Sequence, residues 1–286
     1  MNLLRPVALS LSLIVAGAVF ADEPAKRSRP SLLAAPPRAP VPGPPRSDAA
    51  DAATYERCMA LAKEHPAEAR ELAQSWHRRG GAHPADHCLA VALIGLKEYK
   101  DAAGRLEKLA EAMIHAPASL RADVLDQAGQ AWLLAGDPAR AYAAEGAALG
   151  HRPDDPDLLV NRAEAAGAAG WFDKAIADLD RVLKTAPARL DALIYRASAY
   201  RALGRLDPAL ADIAAALKEA PDSVPALLER GNIRSLRGDL DGAHLDWARV
   251  MLLAPGGAAE AAAEANLARL DGKRDVAPRT KPGGAR

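Results

Sequence analysis

The sequence predicts an all-α fold, a solenoid of stacked helical hairpins, on three observations. The first is a period. Pro153, Pro187, Pro221 and Pro255 follow one another at a constant step of 34. Gly136, Gly170, Gly204 and Gly238 keep the same step, as do Ala141, Ala175, Ala209 and Ala243. So do Arg162, Arg196 and Arg230, and Asp178, Asp212 and Asp246. A fixed period of this size marks a repeat array in which each unit is one supersecondary element packed on the next. The second observation is composition: 50% of residues are apolar but only 4% are aromatic. Alanine supplies much of the apolar share, and it both favours helix and lets helix backbones approach. The third is a missing pattern. No run alternates apolar and polar side chains at period two, so strands are not predicted.

Charge is uneven behind a formal net of zero. Residues 22–50 carry five basic and three acidic side chains, and 272–286 carry five and one. With Arg5 also set aside, 26 basic and 33 acidic side chains remain in 51–271. An acidic array between basic ends argues against nucleic-acid binding by the array, which requires a basic face.

Residues 1–21 read as a secretory signal. Arg5 supplies a positive start, and Val7–Phe20 is an apolar run broken only by two serines and one glycine. Val19 and Ala21 suit cleavage before Asp22. The other reading is a membrane anchor, but the run is short of the roughly 20 residues a spanning helix needs. No other segment is apolar enough to span. Residues 22–50 hold eight prolines and are predicted to be an extended, disordered tether that builds no core.

Helices are predicted at 51–64, 67–79, 84–96 and 100–115, forming divergent N-terminal repeats over 51–121. Pro66 and Pro84 suit helix starts, with His83 expected to cap the helix that Pro84 opens. Gly80-Gly81 suits a helix end. Four regular units follow: 122–155, 156–189, 190–223 and 224–257. Each reads as a helix, a glycine turn, a second helix and a proline-ended loop. In 190–223, Leu193, Ala197 and Tyr200 share one face of the first helix. Ala209, Ile213 and Ala216 share one face of the second. Residues 258–271 continue as an amphipathic capping helix with Leu267 and Leu270 inward, ending at Gly272. The basic tail 272–286 is predicted to be disordered.

These units resemble the tetratricopeptide repeat. Leu125, Leu159, Leu193 and Leu227 match its first large apolar slot. Gly129, Ala163, Ala197 and Gly231 match the small slot after it. Trp132 and Tyr200 match the aromatic slot, from which Ala166 and Arg234 depart. Ala141, Ala175, Ala209 and Ala243 match the alanine of the second helix. Leu179, Ile213 and Trp247 match the large slot after that, from which Glu145 departs. The four prolines match the closing position. The resemblance implies a right-handed superhelix whose concave groove binds a peptide or partner protein, without catalysis. It implies a groove lined by Gln130, Val160, Asn161, Glu164, Ile194, Tyr195, Ser198, Arg201, Leu228 and Asn232. Tyr195 and Arg201 are the candidate anchors, because aromatic and arginine side chains dominate interface hot spots.

Other residues have structural and functional readings side by side. Arg162, Arg196 and Arg230 precede Asp178, Asp212 and Asp246 at one constant interval, which predicts a ladder of Arg–Asp pairs inside the hairpins. Asp123, Asp157 and Asp191 are expected in the first turns of their helices, either complementing the helix dipole or forming an acidic lip. Cys58 and Cys88 are the only cysteines. In a secreted chain they predict a disulfide; the alternative is two buried thiols. His83, His87 and Cys88 could suggest a metal site, but the zinc-protease glutamate is absent. No phosphate loop, nucleophile elbow or acid–base pair is present, so no cofactor and no enzymatic activity are expected.

The sequence thus predicts a secreted, periplasmic scaffold or adaptor that holds a protein or peptide partner. The double-membrane setting is inferred from the alanine- and arginine-rich composition together with the signal. The alternatives are an assembly factor for an envelope machine, in export or cytochrome maturation, and a metal-dependent enzyme using His83, His87 and Cys88.

Overall fold

The structure, a computed structural model, describes residues 49–276, with side chains over 50–270. The predicted signal, the proline-rich stretch to residue 48 and the tail from residue 277 lie outside the described residues. Among the described residues all regular structure is helical. They form two compact units, 49–187 and 188–276. The first contains α1 (Ala49–Glu64), α2 (Pro66–Arg78), α3 (Ala82–Gly95), α4 (Tyr99–Ala112), α5 (Ala118–Leu134), α6 (Pro138–His151), α7 (Pro156–Ala168) and α8 (Phe172–Thr185). The second contains α9 (Leu190–Ala202), α10 (Leu206–Glu219), α11 (Val224–Arg237), α12 (Leu240–Leu253) and α13 (Ala258–Val276). In each unit consecutive helices pair as hairpins and stack on the next hairpin.

The turns follow from local chemistry. Gly136, Gly170, Gly204 and Gly238 all have positive φ, between 72° and 84°, a conformation open to glycine at no steric cost. The next amide in each turn donates back to the helix just ended. Asp137 bonds the Trp132 carbonyl at 2.9 Å, Trp171 that of Ala166 at 2.8 Å, Arg205 that of Tyr200 at 2.8 Å and Asp239 that of Arg234 at 2.9 Å. This closure satisfies carbonyls that a helix end leaves open. Three helix starts are capped by an aspartate. Asp137 accepts from the Arg140 amide at 3.1 Å, Asp155 from Asp157 and Leu158 at 2.9 and 3.2 Å, and Asp239 from Gly242 at 2.9 Å. Pro138 and Pro156 then occupy first-turn positions where no amide is needed.

The cores are built by the periodic slots. Ala141, Ala175, Ala209 and Ala243 are all buried, and so are Leu125, Leu159, Leu193 and Leu227. The large slot of the second helix is filled by Glu145, Leu179, Ile213 and Trp247, all buried. Opposite it stands the small slot of the first helix. The two sizes compensate. Leu179 and Ile213 occur in hairpins whose small slot is Ala163 or Ala197. Glu145 and Trp247 occur in hairpins whose small slot is Gly129 or Gly231. A β-carbon on Gly129 would fall 2.4 Å from Glu145 Oε1, and one on Gly231 would fall 2.5 Å from Trp247 Nε1. Glu145 is therefore accommodated in a slot that elsewhere is apolar, and the Arg162 guanidinium interacts favourably with its charge.

Three expectations are corrected. Helix α5 begins at Ala118, ahead of the period boundary at residue 122. Pro117 sets that start, since its carbonyl accepts from both Leu120 and Arg121 at 3.0 and 3.2 Å. Asp123 is consequently past the first turn of its helix, where it pairs with Arg152 at 2.8 Å. Helix α13 runs through Gly272 to Val276. One interior glycine costs a helix only about 1 kcal/mol, and no proline intervenes before Pro278. His83 does not cap α3. The helix starts at Ala82, with Gly81 in the capping position.

Cys58 on α1 and Cys88 on α3 are joined by a disulfide, with Cα atoms 6.1 Å apart. Both sulfurs are buried. The bridge ties the first helices of two neighbouring hairpins where the repeat is least regular.

Candidate partner-binding face

The predicted groove residues lie on first helices, and the structure sorts them into two kinds. In the first unit, Gln130, Asn161 and Glu164 are half-buried, while Val160 is buried. In the second, Arg201 and Asn232 are half-buried, while Ile194, Tyr195, Ser198 and Leu228 are buried. Val160, Ile194, Tyr195, Ser198 and Leu228 are packing residues, not an open lining. The reason is geometric. A first helix is covered on one side by its own second helix and on another by the adjacent hairpin, as α11 is by α12 and α9. Only a narrow strip stays open.

What remains open is polar and held in place. In the first unit, Asp126 on α5 accepts from Gln130 Nε2 at 3.0 Å and from Asn161 Nδ2 on α7. In the second, Arg201 Nε on α9 donates to Glu229 on α11 at 2.6 Å. Glu229 is fully buried. Asn232 Nδ2 donates to Glu229 at 3.3 Å, and Asn232 Oδ1 accepts from Asn266 Nδ2 on α13 at 2.9 Å. Arg269 donates in turn to Asn266. Each unit thus carries a row of polar side chains crossing from one first helix to the next. Gln130, Glu164, Ser198, Asn232 and Asn266 keep the repeat step, so one register supplies a polar residue in every hairpin from 122 onward. Arg201 is tied to a buried carboxylate, so its charge serves the fold before it serves a partner.

The Arg–Asp ladder is present. Arg162 meets Asp178 at 2.8 and 2.6 Å, and Arg196 meets Asp212 at 2.8 and 2.7 Å, each through Nε and Nη2. Arg230 meets Asp246 in the same fork, with Nη2 at 2.6 Å. The three aspartates are buried. The Asp178 carboxylate bonded to it raises the Arg162 pKa above its usual value, against the opposing effect of partial burial. Arg234, which stands in the aromatic slot, adds a second cation to Asp246 at 2.7 Å.

Two residues of the histidine–cysteine cluster, His87 and Cys88, are taken up by the fold. Cys88 is in the disulfide. His87 is buried, with Nδ1 2.8 Å from the Tyr55 hydroxyl and Nε2 2.8 Å from Gln127 Oε1. With Gln127 accepting from Nε2–H, the Tyr55 hydroxyl donates to Nδ1, so the ring is neutral. Burial lowers its pKa below the usual histidine value, partly offset by the bond to Gln127. This relay spans α1, α3 and α5. Sequence reading missed it, because its contacts reach across 32 and 40 residues in the irregular part of the chain. The one available signal was Tyr55, one turn ahead of Cys58.

No protein-family model matches the chain, and no curated protein matches it. Solved structures do. A thermophilic TPR protein of Thermus thermophilus, TTC0263, is 20% identical, covers 65% of this chain and 100% of its own, and has a TM-score of 0.52. The Cut9–Hcn1 hetero-tetramer of the APC/C is 15% identical, covers 77% of this chain and 42% of its own, and has a TM-score of 0.56. At these identities the likeness is one of fold. The period, the glycine turns, the compensating slots and these matches together give the chain the tetratricopeptide-repeat fold.

Proposed function

We propose that the protein is a non-catalytic interaction scaffold, exported to the cell envelope, that holds an extended segment of a partner protein along its first-helix face. The observation that carries this reading is the row of pre-bonded polar side chains, Asp126, Gln130 and Asn161 in one unit and Arg201, Asn232 and Asn266 in the other. Side chains already fixed by neighbours lose little entropy when a peptide backbone bonds them. Amides that donate and accept suit main-chain recognition with modest sequence demand. The leader-like segment 1–21 supports export to a periplasmic space, and so does a buried disulfide, which persists in oxidising compartments. Among the described residues no helix is long and apolar enough to cross a membrane.

Site-directed photo-crosslinking in cells tests the reading. A photoreactive residue at Gln130 or Asn232 should capture the same partner. Crosslinkers at exposed Lys184 or Lys218 on the second helices should not. Equal capture from both faces would remove the groove from the account. An assembly role in an envelope machine is the second reading, and the identity of the captured partner separates the two. The metal-enzyme reading loses two of its three residues, since Cys88 is in the disulfide and both ring nitrogens of His87 are engaged.

A further inference from the structure

Two aromatic departures from the repeat meet on the surface of the first unit. At the repeat step, Trp171 and Arg205 stand where Asp137 and Asp239 stand in other hairpins. Those aspartates cap their helices. Trp171 occupies the capping position of α8 without capping it. A side chain that cannot cap leaves the helix start less stable than a carboxylate would. Trp171 is 36% exposed, so part of its surface remains open to solvent. Tyr142 on α6 stands where later repeats have Ile176, Leu210 and His244. Its ring meets that of Trp171 edge to face at 5.2 Å. The pair already attracts a cation: Lys174 Nζ lies 4.3 Å from the Trp171 ring centre and 5.1 Å from that of Tyr142. Arg162 covers Tyr142 from 5.3 Å while bonded to Asp178. A partly open aromatic ring at the surface offers a place for contact.

We propose that this aromatic pair docks the chain's own proline-rich segment, residues 22–48, through its two Pro-Pro-Arg tripeptides. Pro36-Pro37-Arg38 and Pro44-Pro45-Arg46 present the chemistry the pair fits. Extended proline segments are preformed and lie on exposed aromatic rings. An arginine at the end of such a turn reaches the same ring faces that Lys174 now occupies. Charge agrees. Residues 22–48 hold five basic and three acidic side chains, and residues 49–187 hold 16 and 21. Reach agrees as well. The segment joins α1 of the same unit, and a chain of its length in an extended proline conformation can span about 80 Å. Tethering keeps its local concentration high, so weak individual contacts suffice.

Limited trypsin digestion of the full chain tests this, read by mass spectrometry at the Arg38–Ala39 and Arg46–Ser47 bonds. The variant is Trp171→Asp, which restores the cap seen at Asp137 and Asp239 while removing the ring. Thermal melting should show it at least as stable as the natural protein. Both bonds should be cut about tenfold faster in Trp171→Asp, since cleavage follows the undocked population. Excess synthetic peptide of residues 22–48 should speed cleavage of the natural chain by displacing its own segment. A second variant, Tyr142→Leu, borrows the residue of a later repeat and should behave like Trp171→Asp. Equal cleavage in all three proteins would overturn the proposal, and so would acceleration that no peptide concentration reproduces. Failure here leaves the polar first-helix face untouched, because the photo-crosslinks read a different surface.

Discussion

The indole of Trp247 occupies the space where a side chain on Gly231 would begin. A β-carbon there would lie 2.5 Å from Nε1 and 2.7 Å from Cδ1. Gly231 is inside α11, where alanine would ordinarily favour the helix by about 1 kcal/mol. The close approach reverses that preference. Gly231→Ala should therefore destabilise the second unit by about 1–3 kcal/mol, measured by urea unfolding. Pairing it with Trp247→Ile, the residue of the preceding hairpin, should recover much of the loss. Gly104 in α4 is the control. Nothing stands within 4 Å of a β-carbon there, so Gly104→Ala should stabilise by about 0.5–1 kcal/mol. A stabilising Gly231→Ala would show that the helices do not cross this closely.

The Arg–Asp pairs should differ sharply from the surface pairs. Asp212 is buried against Arg196 at 2.7 Å. Its removal strands a partly buried guanidinium, and Asp212→Ala should cost about 3 kcal/mol. The Arg249–Asp222 pair has similar geometry at 2.9 Å, but its side chains are 50% and 64% exposed. Asp222→Ala should cost no more than about 1 kcal/mol, and less at high salt. Chemical denaturation at two salt concentrations reads both effects.

His87 should make the first unit sensitive to acid. Its pKa is lowered in the folded chain by burial, so the unfolded chain takes up a proton at higher pH than the folded one. The stabilising contribution is fully present above the ordinary value of about 6.5. It is lost as pH falls from there towards and through the lowered folded value. The urea midpoint should fall between pH 7.5 and pH 5, and His87→Gln should reduce that fall. An unchanged pH dependence in the variant would place the sensitivity elsewhere.

Reduction should weaken the same region. The Cys58–Cys88 bridge closes a loop with a sequence separation of 30. By chain entropy such a loop stabilises by about 3–4 kcal/mol. The Cys58→Ser, Cys88→Ser double variant should lose a comparable amount of stability. Hydrogen exchange should show protection falling in α1 and α3 first, because those are the helices the sulfurs join.

The sequence carried the hairpins, their turns and the Arg–Asp pairs, because each repeats at one step and so declares its own slot. Even the size compensation was written there, in Gly129 with Glu145 and Gly231 with Trp247, but reading it requires knowing that those slots touch. The groove was less legible. Val160, Ile194 and Tyr195 occupy registers that a single helix would leave open, and only the adjacent hairpin closes over them. The Tyr55–His87–Gln127 relay was not legible at all. It sits where no period links one helix to the next, and distant pairing leaves no local trace. The start of α5 fell early for a similar reason: Pro117 acts locally and belongs to no repeat.

Each Arg–Asp fork joins the two arms of a single hairpin. The fork charges are balanced inside one module, whereas buried Glu229 takes its cation, Arg201, from the preceding hairpin. A gene duplication or deletion that adds or drops one whole hairpin would strand none of these ions, whereas a break inside a hairpin would strand two. The forks therefore favour lengthening or shortening the array in steps of one module.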